Sequence, residues 1–265
     1  MKNGMVRLNA RQEKIRRLLT EQGRLNVHEL ATRLRVAEMT IRRDLAGLET
    51  MGVLTRTHGG CVLQSSFVAE LPFPSKQRMH QAQKAAIARE AVRLLKRGQS
   101  LYLDTGTTAL QVARALPSDL DLRVFTNNLR VAMELLGRGF ANVMVYGGML
   151  TGRSPDLAGE VAMAQMQQFR LDVAIVGGDA LDVTRGEFYG ADTETAQMSR
   201  VAQRQADRVF VAMDSSKIGK RGLAVAGRLG PGTTLITDDE VGRAARAAID
   251  ASGARLICAK VYSKT

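Results

Sequence analysis

The sequence predicts an α/β protein in which a short helical N-terminal segment precedes a doubly wound, mainly parallel sheet. After about residue 98, seven short apolar runs alternate with helical patterns, an order typical of a parallel sheet covered on both faces. The first 60 residues differ, because they contain three short helical patterns and no proline. This change of pattern predicts two domains in a chain of 265 residues.

Composition excludes several classes of protein. Apolar residues make up 45% and charged residues 24%, which is ordinary globular usage and argues against a disordered or fibrous chain. Two cysteines, Cys61 and Cys258, are too few for a disulfide-stapled secreted domain. The sequence contains no apolar run near the ~20 residues that span a bilayer and no signal-peptide core. We therefore expect a cytoplasmic protein without a membrane partner.

The positive charge is concentrated near the N-terminus. The net charge is +12, from 38 Lys/Arg and 26 Asp/Glu. Residues 1–60 hold 12 of the basic and 6 of the acidic residues, so half of the excess lies in less than a quarter of the chain. This distribution indicates a polyanionic partner for that segment.

Three helices are predicted in the basic segment. The first runs from Arg11 to Glu21 and stops before Gly23. The second is capped by Asn26, with Glu29 placed as in a capping box. The third runs from Glu38 to about Met51, after a three-residue turn. Two short helices joined by so short a turn predict a helix-turn-helix that binds double-stranded DNA.

The phase of the third helix separates a core face from a reading face. At 100° per residue, Ile41, Leu45 and Leu48 cluster on one side, which we expect to be buried. The opposite side carries Met39, Thr40, Arg43 and Gly47. Arg43 is placed to contact a guanine and Thr40 a phosphate or a thymine methyl.

Two charged residues lie outside these faces. Arg42, on the flank of the third helix, is better placed for a phosphate. Asp44, near the core border, is expected to pair with a neighbouring arginine.

A wing is predicted after the third helix. Residues 52–63 read as two short strands around Gly59-Gly60, with Arg56 and His58 available to the DNA backbone or minor groove. The predicted DNA-binding residues are therefore Met39, Thr40, Arg42, Arg43, Arg56 and His58. The alternative is a solvated helical bundle whose arginines only confer solubility.

Two strings of this segment are specific in combination. Thr40-Ile41-Arg42-Arg43-Asp44-Leu45 is followed by Arg56-Thr57-His58-Gly59-Gly60. Together they resemble the winged helix-turn-helix of the DeoR family of bacterial transcriptional regulators. One departure is Ala37, which stands where the family usually has a serine. Without that serine, the third helix lacks a capping hydroxyl worth about 0.5–2 kcal/mol.

Proline marks the predicted domain boundary. The segment around Pro72 and Pro74 disfavours helix, so we place a linker at residues 63–75. It would separate a winged helix-turn-helix domain at 1–62 from an α/β sensor domain at 76–265.

The second domain is predicted to open with one long helix, Lys76 to Arg97, which Gly98 ends. The predicted strands are Ser100–Leu103, Arg123–Phe125, Val143–Tyr146, Val173–Val176, Val209–Ala212, Thr234–Ile236 and Arg255–Ile257. The predicted helices between them include Thr108–Leu116, Leu129–Leu136, Thr193–Gln205 and Asp239–Ala251.

Polar residues follow five of these strands. They are Asp104-Thr105-Gly106-Thr107-Thr108, Thr126-Asn127-Asn128, Gly147-Gly148, Gly177 to Asp182, and Asp214-Ser215-Ser216-Lys217. Ligands of such sheets bind at the carboxyl ends of the strands. Glycine, threonine hydroxyls and a helix N-terminus suit a phosphate, whereas carboxylates and amides suit hydroxyl groups. Taken singly, each motif is more simply a turn or a helix cap, but together they predict a site for a phosphorylated sugar or polyol.

The same motifs resemble the sensor domain of the DeoR family, which resembles ribose-5-phosphate isomerase and binds phosphorylated sugars as inducers. That resemblance implies Asp104, Gly106, Thr107, Thr108 and Lys217 on the phosphate side of the ligand. It implies Asn127, Asp179 and Asp182 on the hydroxyl side. Gly147 and Gly148 complete the predicted effector-binding residues.

Other chemistry has little support in the sequence. The three histidines share no metal-ligand spacing with each other or with the cysteines, so neither a metal nor a cofactor is expected. No catalytic residues are predicted.

The favoured function is a homodimeric or homotetrameric regulator, a repressor of a sugar or polyol catabolic operon that a phosphorylated sugar relieves. The alternatives are a sugar-phosphate isomerase-like enzyme with a DNA-binding appendage and a non-specific nucleic-acid binder.

Overall fold

The computed structural model describes residues 8–22, 24–50, 54–57, 59–63, 73–150, 154–190 and 192–262. The chain divides into two compact units, Met1–Phe67 and Val68–Thr265. Most of the predicted linker, residues 64–72, lies outside the described residues. A helix begins at Phe73, within the predicted linker.

The N-terminal unit consists of three helices and a small sheet. Its elements are α1 (Ala10–Gln22), β1 (Arg24–Asn26), α2 (Val27–Leu34), α3 (Glu38–Thr50), β2 (Leu54–Thr57) and β3 (Gly60–Leu63). The three helices and the two strands of the wing confirm the predicted pattern. The Asn26 side chain accepts a hydrogen bond from the backbone N–H of His28 at 2.8 Å and so caps α2, as predicted. Strand β1 was not predicted, and it pairs antiparallel with β3, which lies in the centre of the sheet.

The predicted core face of α3 is confirmed, because Ile41, Leu45 and Leu48 are fully buried. Asp44 is also buried and accepts a hydrogen bond from the Arg11 guanidinium. The expected pairing with an arginine therefore occurs, but its partner comes from α1 and not from a neighbouring position. This ion pair joins α1 to the buried side of α3.

Gly60 has a close backbone neighbour that Gly59 lacks. A Cβ at Gly60 would overlap the backbone carbonyl oxygen of Leu25, whereas a Cβ at Gly59 would meet no atom within 4 Å. We expect Gly60→Ala to destabilise the N-terminal unit by about 1–3 kcal/mol, because β1 must move away from β3. Urea unfolding of the full chain, followed by circular dichroism, measures the change. Gly59→Ala is the matched control, and equal losses for both variants would contradict the close approach of β1.

The C-terminal unit combines one large sheet with flanking helices. Its elements are α4 (Phe73–Arg78), α5 (Gln81–Arg93), β4 (Ser100–Leu103), α6 (Thr107–Ala115), β5 (Arg123–Thr126), α7 (Leu129–Gly137), β6 (Val143–Val145), β7 (Met149–Leu150), β8 (Leu157–Ala158), α8 (Glu160–Met166), β9 (Leu171–Val176), β10 (Ala180–Asp182), β11 (Glu187–Gly190), α9 (Thr193–Gln205), β12 (Ala206–Ala212), β13 (Ala224–Arg228), β14 (Thr233–Asp238), α10 (Arg243–Ala251) and β15 (Arg255–Ala259).

The large sheet has seven parallel strands in the order β15-β14-β12-β9-β4-β5-β6. All seven predicted strands are present, and the predicted α/β class is confirmed. One apolar core contains side chains of α5, α6 and α7, and a second core contains side chains of α8 and α9, so both faces are covered. The chain runs outward from β4 in one direction and from β9 in the other, which places the switch in strand order between them.

The predicted helix Lys76–Arg97 is wrong as a single helix. The chain breaks between α4 and α5, where His80 adopts a left-handed conformation with φ 51°. The buried Lys84 ammonium donates hydrogen bonds to the carbonyl oxygens of Lys76 and Met79. These bonds satisfy carbonyl groups next to the break. A local sequence pattern cannot reveal such a contact. Helix α5 also ends at Arg93, before the predicted end.

Three smaller features were not predicted. Strands β10, β11 and β13 form a separate antiparallel sheet, and β7 and β8 form a short hairpin. Helix α8 lies after the hairpin, and α10 begins at Arg243, later than predicted.

In the described part of the chain, no helix is both long and apolar enough to cross a membrane.

Candidate functional site

A cavity opens at the switch in strand order, at the carboxyl ends of β4 and β9. Asp104 follows β4, and its backbone N–H donates to the carbonyl oxygen of Ile175 in β9 at 3.0 Å. The lining residues are Phe73, Lys76, Asp104, Thr105, Gly106, Thr107, Thr108, Ser154, Asp156, Gly177, Gly178, Asp179, Gly190, Thr195, Ser199, Lys217 and Ala226. Two lysines, several hydroxyl groups and three carboxylates therefore face one space.

The N-terminus of α6 forms one wall of the cavity. Gly106 occupies the N-cap position with φ 95°, a left-handed conformation that favours glycine. Glycine has no side-chain oxygen, so no side chain caps the first N–H groups of α6. Thr107 and Thr108 open the helix on the same wall. This arrangement offers hydrogen-bond donors and a positive dipole end to an anion.

Asp104 organises the loop rather than offering a free charge. Its carboxylate accepts hydrogen bonds from the N–H groups of Thr105 at 2.8 Å and Gly177 at 3.1 Å, and from the Tyr102 hydroxyl at 3.2 Å. Burial raises the pKa of Asp104 to about 7, although the two backbone N–H groups oppose the shift. The carboxyl group therefore ties the end of β4 to the end of β9.

A lysine–aspartate cluster also lines the cavity. The Lys76 ammonium lies 3.3 Å and the Lys217 ammonium 3.7 Å from the Asp179 carboxylate. Lys217 also donates to the carbonyl oxygen of Gly178 at 2.5 Å. Burial acts to raise the pKa of Asp179, but Lys217 and Lys76 outweigh it, so this pKa lies below its ordinary value. Asp179 is thus a carboxylate held between two cations.

A second compartment continues from this cluster. It shares Lys76, Thr107, Asp179 and Lys217 with the first and adds Met79, His80, Lys84, Asp214, Ser216 and Lys220. Burial, followed by the charge of Lys217, lowers the pKa of Lys84 to about 8. Four lysines against two carboxylates leave the compartment with a net positive charge, which suits a phosphate group.

In the N-terminal unit, the reading face of α3 is open. Met39 is 70% exposed, Arg43 is exposed and Thr40 is partly exposed. Arg42 lies 3.6 Å from the Glu38 carboxylate, which also accepts a hydrogen bond from the His28 ring at 2.9 Å. Arg43 thus differs from Arg42, because none of the described contacts joins Arg43 to a side-chain partner.

The wing contributes one described candidate. The Arg56 guanidinium donates to Glu49 at 2.7 Å, and its backbone N–H donates to the same carboxylate at 2.9 Å. Glu49 therefore holds Arg56 against the end of α3. His58, the other predicted residue of the wing, lies outside the described residues.

Family comparisons match both units. Residues 11–67 match the DeoR-like helix-turn-helix domain, and residues 79–239 match the DeoR C terminal sensor domain. The chain belongs to the DeoR family. It is a transcriptional regulator with a DNA-binding helix-turn-helix and an effector-binding sensor domain. The predicted resemblance is confirmed on both domains.

Curated relatives of this DeoR-family regulator agree over most of its length. The HTH-type transcriptional regulator GlpR of Haloferax volcanii is 32% identical, with 93% of this chain and 96% of the relative covered. The Glycerol-3-phosphate regulon repressor of Escherichia coli K12 is 32% identical, with 83% and 87% covered. The Putative aga operon transcriptional repressor of Escherichia coli O157:H7 is 33% identical, with 80% of each covered. All three carry the names of regulators and not of enzymes.

Solved structures show a more distant likeness. Ribose 5-phosphate isomerase A from Methanocaldococcus jannaschii matches with a TM-score of 0.39 and 19% identity, over 51% of this chain and 53% of that one. The sorbitol operon regulator SorC from Klebsiella pneumoniae matches with a TM-score of 0.38 and 14% identity, over 90% and 98%.

Six of the ten predicted effector residues line the cavity of the DeoR-family sensor unit: Asp104, Gly106, Thr107, Thr108, Asp179 and Lys217. The four others have partners elsewhere. Asn127 accepts from the Tyr102 hydroxyl at 2.7 Å and donates to the carbonyl oxygen of Leu157 at 2.8 Å. The backbone N–H of Gly147 donates to Gln165 at 2.7 Å, and Gly148 packs closely on Ala158.

Asp182, the fourth of these residues, is bonded to Arg221 at 2.6 Å and to Thr184. Asp179 lines the cavity, whereas Asp182, in strand β10, does not, so the two carboxylates do not face the cavity together. The paired acids that resemble those of an isomerase are therefore separated.

Sequence reasoning missed several lining residues, chiefly Lys76 and Asp156. Lys76 reaches the cavity because α4 ends at Arg78, instead of continuing into α5. Asp156 follows no predicted strand. The run of polar residues between Leu150 and Leu157 was the available signal, but only the fold shows that Asp156 lies at the cavity.

Asp156 connects the cavity with α7. Its buried carboxylate accepts a hydrogen bond from the Asn128 side chain at 2.5 Å, and Asn128 caps α7 by accepting from Val131 N–H at 2.9 Å. The flanking backbone is also bonded, since Leu129 N–H donates to Pro155 and Leu157 N–H donates to Asn127. The segment that carries Asp156 is thus fixed to the start of α7.

The raised pKa of Asp104 predicts a specific pH dependence. The folded state holds a proton on Asp104 up to about pH 7, whereas an unfolded aspartate loses it near pH 4. Stability from this group is therefore present below about pH 4 and is lost as the pH rises towards 7. We expect the Tm of the wild type to fall relative to that of Asp104→Asn between about pH 4 and pH 7. Identical slopes in thermal unfolding would contradict the assignment.

The described residues contain no group of three or more histidine, cysteine or carboxylate side chains that could hold a metal ion. Burial raises the pKa of the Cys61 thiol to about 11, so this thiol is an unreactive part of the core.

Proposed function

We propose that this chain is a sequence-specific repressor of a sugar or polyol catabolic operon and that a phosphorylated sugar or polyol relieves the repression. The observation that carries the proposal is the cavity, where the uncapped start of α6 faces a cluster of lysines. The names of two relatives, a glycerol-3-phosphate regulon repressor and a putative aga operon repressor, support a ligand of this chemical class.

The proposed ligand spans the two compartments. Its phosphate lies between the N-terminus of α6 and the ammonium groups of Lys84 and Lys217, which supply donors and positive charge. Its hydroxyl groups bind Asp179 and the polar side chains of the first compartment. We propose Asp104 as a positioning residue, because its carboxylate accepts hydrogen bonds from the backbone of Thr105 and Gly177, in the loops after β4 and β9.

The proposed DNA contacts are those of α3 and the wing. Arg43, Thr40 and Met39 face the major groove, while Arg42 and Arg56 contact the phosphate backbone. Helix-turn-helix proteins bind repeated half-sites as dimers, so a homodimer or homotetramer is part of the proposal. Ligand binding changes how the two helix-turn-helix units are presented to the half-sites. A coupling free energy of about 1–3 kcal/mol between ligand and DNA binding would lower DNA affinity about 5–150-fold.

Two measurements test the proposal. The first compares binding to the DNA upstream of the protein's own gene with binding to a scrambled DNA of equal length, at about 150 mM salt. Equal affinity would show a non-specific nucleic-acid binder and would overturn the proposal.

The second measurement is a thermal-shift screen of polyol, sugar and amino-sugar phosphates. Each compound is paired with its unphosphorylated parent as a matched control. We expect one phosphate ester to raise Tm and to release the operator, while its parent does neither. A screen in which no ester acts would contradict the ligand class and leave the DNA result standing.

A further inference from the structure

The charged groups of the two compartments are unevenly distributed. Among the described lining residues, the charged groups found in the first compartment alone are Asp104 and Asp156. The second compartment alone contains two lysines, Lys84 and Lys220. The other two lysines of the site line both compartments. No described lysine or arginine therefore lines the first compartment alone, and one end of the site is cationic while the other is not.

Asp156 and Asp179 show this contrast directly. Both carboxyl groups line the first compartment, and burial acts to raise the pKa of each. For Asp179, two lysines outweigh burial and hold the pKa below its ordinary value. For Asp156, hydrogen bonds from two neighbours and the charge of Lys76 oppose burial without cancelling it, so the pKa is raised. The site compensates the charge of Asp156 only in part.

Hydroxyl groups accompany Asp156. Thr195 and Ser199 lie one turn apart on the same side of α9, and both line the cavity. The start of α9 is near Asp156, because the carboxylate of its N-cap residue, Asp192, acts to raise the pKa of Asp156. Ser154 also lines the cavity. We call Ser154, Asp156, Thr195 and Ser199 the hydroxyl end of the site, and none of the four carries a positive charge.

The hydroxyl end suits a neutral group and not a second anion. An aspartate carboxylate has about four lone-pair sites, and Asn128 and Ser154 occupy only part of those of Asp156. A hydroxyl group of a ligand can donate to the remaining sites. An ionised carboxylate or phosphate has no proton to donate. It would face an Asp156 that is negative or, when protonated, neutral, and neither form supplies a positive charge.

The lysines of the site balance one phosphate group. Four lysines and two carboxylates line the second compartment, which leaves an excess of two positive charges when His80 is neutral. A phosphate monoester carries a charge of about −1.5 to −2 at pH 7. One such group uses the excess, so a second phosphate would find no uncompensated lysine among the described lining residues.

We propose that the effector is a phosphate monoester whose other end is neutral and bears hydroxyl groups, and that the hydroxyl end of the site rejects sugar bisphosphates and phosphorylated sugar acids. Asp156 is the specificity-determining residue, because its carboxyl group accepts from the hydroxyl groups of the ligand and repels a second anion. The inference rests on the proposed function, since it requires a phosphorylated ligand in this cavity, and it defines which phosphorylated ligands the cavity takes.

Calorimetric titration of the full chain, at about 150 mM salt, tests the proposal with matched pairs of compounds. The pairs are glycerol phosphate with phosphoglycerate, sorbitol phosphate with phosphogluconate, and fructose monophosphate with fructose bisphosphate. The two members of a pair have the same number of carbon atoms, and only the second carries another anionic group. We expect phosphate monoesters with a neutral end to bind at least about ten-fold more tightly than every compound with the second anionic group, because an unfavourable charge contact costs several kcal/mol.

The outcomes separate this inference from the proposed function. If a compound with the second anionic group binds as tightly as the best monoester, or more tightly, the inference is overturned while a phosphorylated effector is retained. If no member of any pair and no ester of the thermal-shift screen binds, the phosphorylated effector itself is contradicted, and both proposals fail together.

Thr195→Lys places a cation at the hydroxyl end and is expected to improve the relative affinity of the compounds with the second anionic group at least about ten-fold. Gln197→Lys is the matched control, because Gln197 is exposed on the same helix and lies outside the cavity lining. It is expected to keep the wild-type preference. Asp156→Asn removes the negative charge at nearly constant shape and is expected to narrow the preference.

Circular dichroism shows whether each variant is folded. A folded Thr195→Lys protein with the wild-type preference would overturn the proposal, even if Asp156→Asn does not fold. An equal change in Gln197→Lys would overturn it as well, because the preference would then depend on the overall charge of the protein and not on the hydroxyl end.

Discussion

Arg43→Ala is expected to lower affinity for the cognate operator about 5–150-fold and to relax the base preference at one position of each half-site. A bidentate contact between arginine and guanine discriminates by about 1–3 kcal/mol. Arg43 is exposed on the outward side of α3, opposite the buried Ile41 and Leu45, and is bonded to no described side chain. Its guanidinium is therefore free to enter a groove. Competition binding with a library of single-base operator variants measures the preference.

Arg42→Ala is the matched control for that experiment. Arg42 lies on the flank of α3, next to Glu38, where a phosphate is the nearest partner on DNA. Its removal is expected to weaken binding to every sequence alike and to reduce the salt slope by about 1. If Arg42→Ala changes the preference and Arg43→Ala does not, the assignment of the helical face is wrong.

Lys217→Met is expected to weaken the effector at least about thirty-fold, so that repression persists at effector concentrations that release the wild type. Truncating one partner of a desolvated charged pair costs about 2–5 kcal/mol. Lys217 is half-buried, lines both compartments and contacts Asp179 and the carbonyl oxygen of Gly178. No other described lysine except Lys76 lines both compartments. Calorimetric titration with the ester that acts in the thermal-shift screen measures the affinity.

Lys96→Met provides the control for Lys217→Met. Lys96 is exposed and precedes β4, so it lies at the amino end of that strand, away from the cavity. We expect it to keep the wild-type effector affinity. Operator affinity without effector should be unchanged in both variants, since the reading residues belong to the other unit. An Lys217→Met protein with wild-type effector affinity would remove Lys217 from the site.

The large sheet was predictable because most of its strands are short, nearly continuous apolar runs that are largely buried. Ser100–Leu103 is fully buried, and its predicted bounds equal the observed ones. The sheet of β10, β11 and β13 was not predictable in this way, since these strands include Asp182, Glu187 and Gly190. β10 pairs with the nearby β11, but β11 also pairs with β13, which follows α9 and β12 in the chain.

The site was predictable where a motif follows directly on a strand, as Asp104 to Thr108 does. It was not predictable where a tertiary contact decides. The break before α5 brings Lys76 to the cavity and depends on the buried ammonium of Lys84. Likewise, Asn127 resembles an effector-binding residue in sequence, but its side chain is hydrogen-bonded to the Tyr102 hydroxyl and to the carbonyl oxygen of Leu157.

The bond between Asp156 and Asn128 joins a wall of the cavity to the first turn of α7. If a ligand in the cavity changes the strength of association between two copies, association must change ligand affinity by the same factor. Sensitivity to the metabolite would then depend on how much of the regulator a cell contains.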